Sequence, residues 1–263
     1  MSHDAGVKDV VPSADGIPIR FEVDGAGDPA LVFVHGWSCD RTYWRGQLGP
    51  FATRNQVVAV DLAGHGESGG GRPVWTMPAF GADVVAVIEQ LGLQDPVLIG
   101  HSMGGDVIVE AALALRGRVS GLVWVDVYAS LGEPRTEDEV QAFARPFHED
   151  FVTTTRDFVR SLMPGADEDL VEWVAADMSA APPDVALDAL RQAVSNDGPV
   201  MAALDELAAP VLAINPDHRP TDVEGLRRHG VEAVVMPGVS HFLMLEDPDA
   251  FNRLLGETID RLA

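Results

Sequence analysis

Cysteine is almost missing from this chain: Cys39 is the only one in 263 residues. A lone thiol cannot close an internal disulfide, and it cannot build a multi-cysteine metal centre. Lysine is as scarce, with Lys8 alone, and Lys and Arg together number 18 against 41 Asp and Glu. The resulting formal charge of −23 repels phosphate backbones and anionic lipid, so neither nucleic acid nor a membrane is an expected partner. Long apolar runs are also absent. The longest have strand length, too short to cross a bilayer. Met1 to Val10 is polar and lacks the apolar segment of a secretion signal, which points to a cytoplasmic location. Repeats and low-complexity tracts are missing too. What remains is 46% apolar residues in a chain long enough to bury a substantial core as one α/β domain.

The most informative stretch runs from Pro96 to Ala114. Val97 to Ile99 is a strand-sized apolar run that ends at Gly100, and apolar residues then recur at Val107, Ile108, Ala111 and Ala112 with helical spacing. Between them lies Gly100-His101-Ser102-Met103-Gly104, a G-x-S-x-G match in a strand–turn–helix setting. A serine raised on so sharp a turn has a strained backbone, and glycines two residues to either side remove the collisions that side chains would cause. The turn also aims the Met103 N–H, at the start of the helix, toward any oxyanion formed at Ser102.

Elsewhere strands and helices alternate. Val7 to Val11 and Ile17 to Val23 read as strands joined by a turn containing Asp15-Gly16. Ala30 to Val34 and Gln56 to Val60 are continuous apolar strands of the kind buried on both faces. Tyr43 to Leu48 and Met77 to Leu91 read as helices, the second stopped by Gly92, and Gly121 to Val125 is a further strand with Asp126 at its end. From about Gly132 to Leu207 no strand pattern is found. Helical segments take its place at Thr155–Met163, Glu168–Met178, Asp184–Val194 and Val200–Leu207, after one opened by a Thr136/Glu139 capping box. Strands resume at Pro210 to Ile214 and Glu232 to Met236, separated by a helix at Asp222 to His229, and a helix from Pro248 to Leu262 closes the chain. The pattern predicts a mostly parallel, eight-stranded, doubly wound sheet with a helical insert after strand 6.

Ser102, an acid and His241 occur in the order Ser, Asp, His, each just after an expected strand. A serine hydroxyl needs a base, and histidine titrates near working pH. A carboxylate on the other ring nitrogen would fix its tautomer and stabilise the imidazolium. His35, Asp61 and His65 read instead as residues that knit their loops by hydrogen bonds. Trp37, after the first buried strand, can offer a second N–H to an oxyanion.

His35-Gly36-Trp37, Asp61-x-x-Gly64-His65-Gly66-x-Ser68, the Ser102 elbow and Gly238-x-x-His241-Phe242 together resemble the α/β-hydrolase superfamily over nearly the whole chain. That resemblance implies a core of residues 1–131 and 208–263 with a helical cap at 132–207. It also implies a Ser102/His241 couple with Trp37 and Met103 N–H groups as oxyanion hole. Most relatives carry the acid after the seventh strand, where this chain has Asp217 in a short turn without the usual glycine. A minority carry it after the sixth, where Asp126 stands. Both stay open, with Asp126 preferred. The implied activity is hydrolysis of a small, neutral, hydrophobic ester or lactone through an acyl-enzyme, with no metal and no cofactor. Trp37, Phe143, Phe147, Phe158 and Phe242 are the expected pocket, in a monomer or homodimer. A cofactor-free perhydrolase and a slow-turnover signalling receptor of the same fold are the alternatives.

Overall fold

The computed structural model describes residues 6–262; the loose tail expected up to Gly6 therefore lies, but for Gly6, outside the described residues. The strands are β1 (Val7–Pro12), β2 (Pro18–Asp24), β3 (Leu31–Val34), β4 (Val57–Val60), β5 (Val97–His101), β6 (Gly121–Val125), β7 (Val211–Pro216) and β8 (Val231–Met236). They form one eight-stranded sheet in the order β1-β2-β4-β3-β5-β6-β7-β8. Only β1 with β2 and β2 with β4 pair antiparallel; from β4 to β8 every pairing is parallel. Every residue of β3, β4, β5 and β6 is buried. That is why these strands read as unbroken apolar runs: a parallel strand covered on both faces has no wet side to alternate with.

Helices α1 (Arg45–Ala52), α2 (Met77–Leu91) and α3 (Met103–Leu115) lie between strands of the first half. Between β6 and β7 come α4 (Glu137–Glu149), α5 (Phe151–Leu162), α6 (Glu168–Ser179), α7 (Pro183–Val194) and α8 (Asp197–Glu206). The chain ends with α9 (Val223–Arg228), α10 (Leu243–Glu246) and α11 (Pro248–Ile259). The sheet is covered on both faces: α2 packs on α3, and α1 packs with α10 and α11.

Local signals explain most boundaries. Thr76 caps α2 and Gly92, at φ 63°, ends it in the left-handed region. The Thr136/Glu139 capping box opens α4 as expected. Several boundaries differ from the sequence reading: α8 starts at Asp197 and not Val200, α11 ends at Ile259 and not Leu262, and α10 has no counterpart in it. Helix α5 begins at Phe151, four residues before Thr155, because Asp150 accepts the Thr153 N–H and starts a helix that threonines alone would not favour. The expected helix at Tyr43–Leu48 is a 3-10 turn, Arg41–Trp44, capped by Asp40, which then passes into α1.

Candidate active site

Ser102 stands alone between β5 and α3, at φ 51° and ψ −124°. A non-glycine residue there carries backbone strain of about 1–3 kcal/mol, tolerated only where its surroundings over-determine it. Its N–H donates to Val125 O at 3.0 Å, and its carbonyl accepts from Gly105 N–H at 2.8 Å. The flanking glycines are required by contact. A Cβ on Gly100 would fall 2.3 Å from Gly104 O, and one on Gly104 would fall 2.5 Å from Val34 O. Gly105 has the same need, since its Cβ would meet the Val127 side chain at 2.2 Å. The start of α3 is thus pressed onto the end of β3. Gly36 belongs to the same contact: its Cβ would lie 3.3 Å from Ser102 Cβ, which sets the Trp37 loop against the elbow. Among the described residues, neither the Trp37 nor the Met103 N–H is taken by a side chain or loop carbonyl. The Ser102 hydroxyl is likewise without a hydrogen-bond partner, and it lines a cavity of about 440 Å³.

His241, in the loop after β8, lines the same cavity. Its Nδ1 donates to Asp126 Oδ2 at 2.6 Å, which leaves the Nε2 lone pair available. The His241 N–H donates to Leu162 O, and its carbonyl accepts from His101 Nε2 at 2.9 Å. Burial drives the His101 imidazole down to about 3, so it stays neutral beside His241. Asp126 follows β6 directly, at φ 46°, with its N–H on Ile214 O at 3.0 Å. It is 1% exposed. Burial alone would raise its carboxyl, but His241 on one oxygen and Arg219 on the other hold it at about 2. Asp217 is elsewhere: it is exposed, and its carboxylate accepts the Gly238 N–H at 2.9 Å.

The loop-knitting residues are placed as follows. His35 Nδ1 donates to Gly36 O, and its Nε2 accepts the Leu62 N–H at 3.1 Å. Asp61 accepts the N–H groups of Arg41 and Glu67 and pairs with the buried Arg41 guanidinium. His65 is buried and bonded to Ala63 O.

Of the expected pocket residues, Trp37, Phe143, Phe158 and Phe242 line the cavity. Phe147 does not. It lies behind the wall, its ring 5.5 Å from Trp37 and 5.5 Å from Phe158, edge-on to both, and so orients the lining side chains instead of forming the surface. Polar links tie the insert to the core: the Trp37 indole N–H donates to Ala186 O at 2.7 Å, the Tyr43 hydroxyl to Asp177 at 2.8 Å and the Trp75 N–H to Asp188 at 2.8 Å, beside the His241 N–H bond to Leu162 O. The cavity is also less apolar than the aromatic supply suggests, because Asp106, Tyr128, Glu133 and Arg219 share its wall. Arg219 carries no motif that marks it in the sequence. The available signal was its position in a loop at the carboxyl end of a parallel strand, where open α/β sheets gather their ligands. Among the described residues, no cluster of three or more His, Cys, Asp or Glu side chains could hold a metal, and no helix is long and apolar enough to cross a membrane.

A family model described as the alpha/beta hydrolase family matches residues 31–254. The pimeloyl-[acyl-carrier protein] methyl ester esterase of Nitrosospira multiformis is 27% identical, with 89% of this chain and 95% of that protein covered. A thermophilic esterase from Thermogutta terrifontis superposes with TM-score 0.82 at 25% identity, covering 97% of this chain and 99% of the other. An N-acyl homoserine lactone degrading enzyme gives TM-score 0.80 at 26% identity, covering 95% and 99%. The chain spans about a third of the length of another curated relative, the dihydrolipoyllysine-residue acetyltransferase component of the acetoin cleaving system of Cupriavidus necator, at 32% identity over 129 residues (34% of that protein, 47% of this chain).

Proposed function

The chain belongs to the alpha/beta hydrolase family, and from that premise we propose that it is a serine hydrolase cleaving carboxylic esters or lactones through an acyl-enzyme. The observation that carries the reading is the 2.6 Å Asp126–His241 bond in the cavity that the strained Ser102 lines. Ser102 Oγ attacks the carbonyl carbon while His241 Nε2 takes its proton. Asp126 keeps Nδ1 protonated and offsets the charge of the imidazolium. The Trp37 and Met103 N–H groups receive the oxyanion, a service worth about 100- to 1000-fold in rate for each donor. As the tetrahedral adduct collapses, the leaving oxygen takes the proton from His241. Water, deprotonated by the same nitrogen, then splits the acyl-enzyme and releases the acid. The hydroxyl–imidazole bond this requires is not made in this structure and has to form when substrate fills the site, as such bonds do in many hydrolases.

Residues 132–207 serve as a cap. The Phe143, Phe158, Leu162, Met178 and Leu190 side of the cavity suits the hydrophobic part of a neutral substrate. The methyl ester esterase and the lactone-degrading enzyme among the full-length relatives are consistent with either substrate class.

The test is covalent labelling with turnover. Wild-type protein mixed with a fluorophosphonate gains one adduct by intact mass, on Ser102, and hydrolyses p-nitrophenyl acetate or butyrate or a lactone from a mixed panel. Ser102→Ala takes no adduct, and its kcat falls by about 10⁴-fold or more. A wild-type enzyme that stays unlabelled removes the acyl-enzyme. Labelling with negligible turnover on every ester and lactone favours a receptor role for the same site.

A further inference from the structure

Arg219 comes from the loop after β7, between His218 and Pro220, and lines the cavity with Asp126 and His241. Its Nη2 donates to Asp126 Oδ1 at 2.7 Å, on the opposite side of the carboxylate from the His241 bond. Among the described residues it pairs with no other acid. Its loop is fastened to the segment that carries Asp126: Asn215 Nδ2 donates to Tyr128 O at 2.9 Å, and the Asp222 N–H to Ala129 O at 2.7 Å. The guanidinium therefore works from a fixed base.

We infer that Arg219 is a positioning residue of the triad, clamping Asp126 through the oxygen the imidazole does not use. The inference rests on the serine-hydrolase reading above. A carboxylate held at one oxygen can still swing about its Cβ–Cγ bond, whereas one held at both cannot, so the His241 ring is fixed at second hand. A buried carboxylate with a single partner is also costly to keep ionised, and the second donor meets that cost. Around His241, His101 is neutral and Glu246 accepts from Ser240 and Phe242 on either side of it, and Asp106, Glu133 and Arg135 share the cavity lining.

The variants are Arg219→Gln and Arg219→Lys, each checked for an unchanged melting profile. In Arg219→Gln the Asp126 carboxylate loses one of its two donors, so kcat falls about tenfold while KM stays within about twofold. Arg219→Lys keeps a charged donor but not the fork, so kcat recovers in part. An unchanged kcat in Arg219→Gln overturns the inference, as does an equal kcat loss in both variants. A second readout needs no turnover: the low-field proton resonance of the His241–Asp126 bond, assigned by its loss in His241→Asn, broadens in Arg219→Gln and survives in Arg219→Lys. If wild-type protein neither takes fluorophosphonate nor turns over any ester, the hydrolase reading fails, and the resonance alone decides the role of Arg219.

Discussion

Asp126 and Asp217 stand at the ends of neighbouring strands in surroundings that differ in everything that matters to an imidazole. Asp126 is buried, bonded to His241 and Arg219 through separate oxygens, and held at about 2. It is anionic at any working pH and has no freedom to leave the ring. Asp217 faces solvent and caps the Gly238 N–H. Asp126→Asn therefore lowers kcat at neutral pH by at least about 100-fold, because the amide cannot offset an imidazolium and can impose the wrong tautomer. Asp217→Asn keeps an acceptor for Gly238 and stays within about twofold of wild type. Steady-state kinetics on one ester, run on both variants, separates the two; similar mild losses in both would remove Asp126 from the role. Both aspartates were visible in the sequence as strand-end acids. The choice between them needed the distance to a ring more than a hundred residues away, which spacing along the chain does not carry.

At the scale of elements, the elbow is a joint between three of them: the end of β3, the end of β5 and the start of α3. Glycine at 104 lets α3 begin against the backbone of β3, with no space for a methyl group beside Val34 O and His35 O. Gly104→Ala must push two backbone segments apart and is expected to destabilise the protein by about 2–4 kcal/mol, in the range of severe core substitutions. Gly70→Ala, in open space, stays within about 0.5 kcal/mol. Urea unfolding of the pair checks the contrast, and equal effects would mean that the joint yields. The Gly-x-Ser-x-Gly pattern predicted the elbow, where Gly100 meets Gly104 O within the same turn, but the demand on Gly104 comes from β3, far away along the chain. Helix α5 shows the opposite case: its start depends on one capping aspartate ahead of three consecutive threonines, a weak signal beside the apolar periodicity that follows. Phe147 shows another limit. Helical spacing places it on an apolar face, but whether that face meets the cavity or the back of Trp37 depends on how α4 is rotated in the packed insert.

For the molecule as a whole, three buried histidines set the response to acid. Burial holds His35 at about 4, and His65 and His101 at about 3. In the unfolded chain the same rings take up protons near 6.5. The unfolded state therefore binds more protons below that point, and the stability present above it is lost as pH falls toward 4. Asp126, depressed to about 2, adds to the loss at lower pH; Asp61 and Asp83, pushed up by burial, oppose it. The unfolding free energy is expected to be at least about 3 kcal/mol smaller at pH 5 than at pH 7, since each neutral ring contributes up to about 1.4 kcal/mol per unit below 6.5. Urea titrations at the two pH values measure it, and a difference under about 1 kcal/mol would mean that these rings are not excluded from protons. The order of strands and of most helices, the mostly parallel sheet, and the places of Ser102 at a strand-to-helix turn and His241 in a loop could be read from the chain, because hydrophobic period and steric demand act between near neighbours. Which carboxylate meets the imidazole, which arginine grips that carboxylate and which aromatic rings face the cavity came only from the folded chain. Those are contacts between loops at different strand ends, and their distances are fixed by how the sheet and the insert pack, not by any spacing along the sequence.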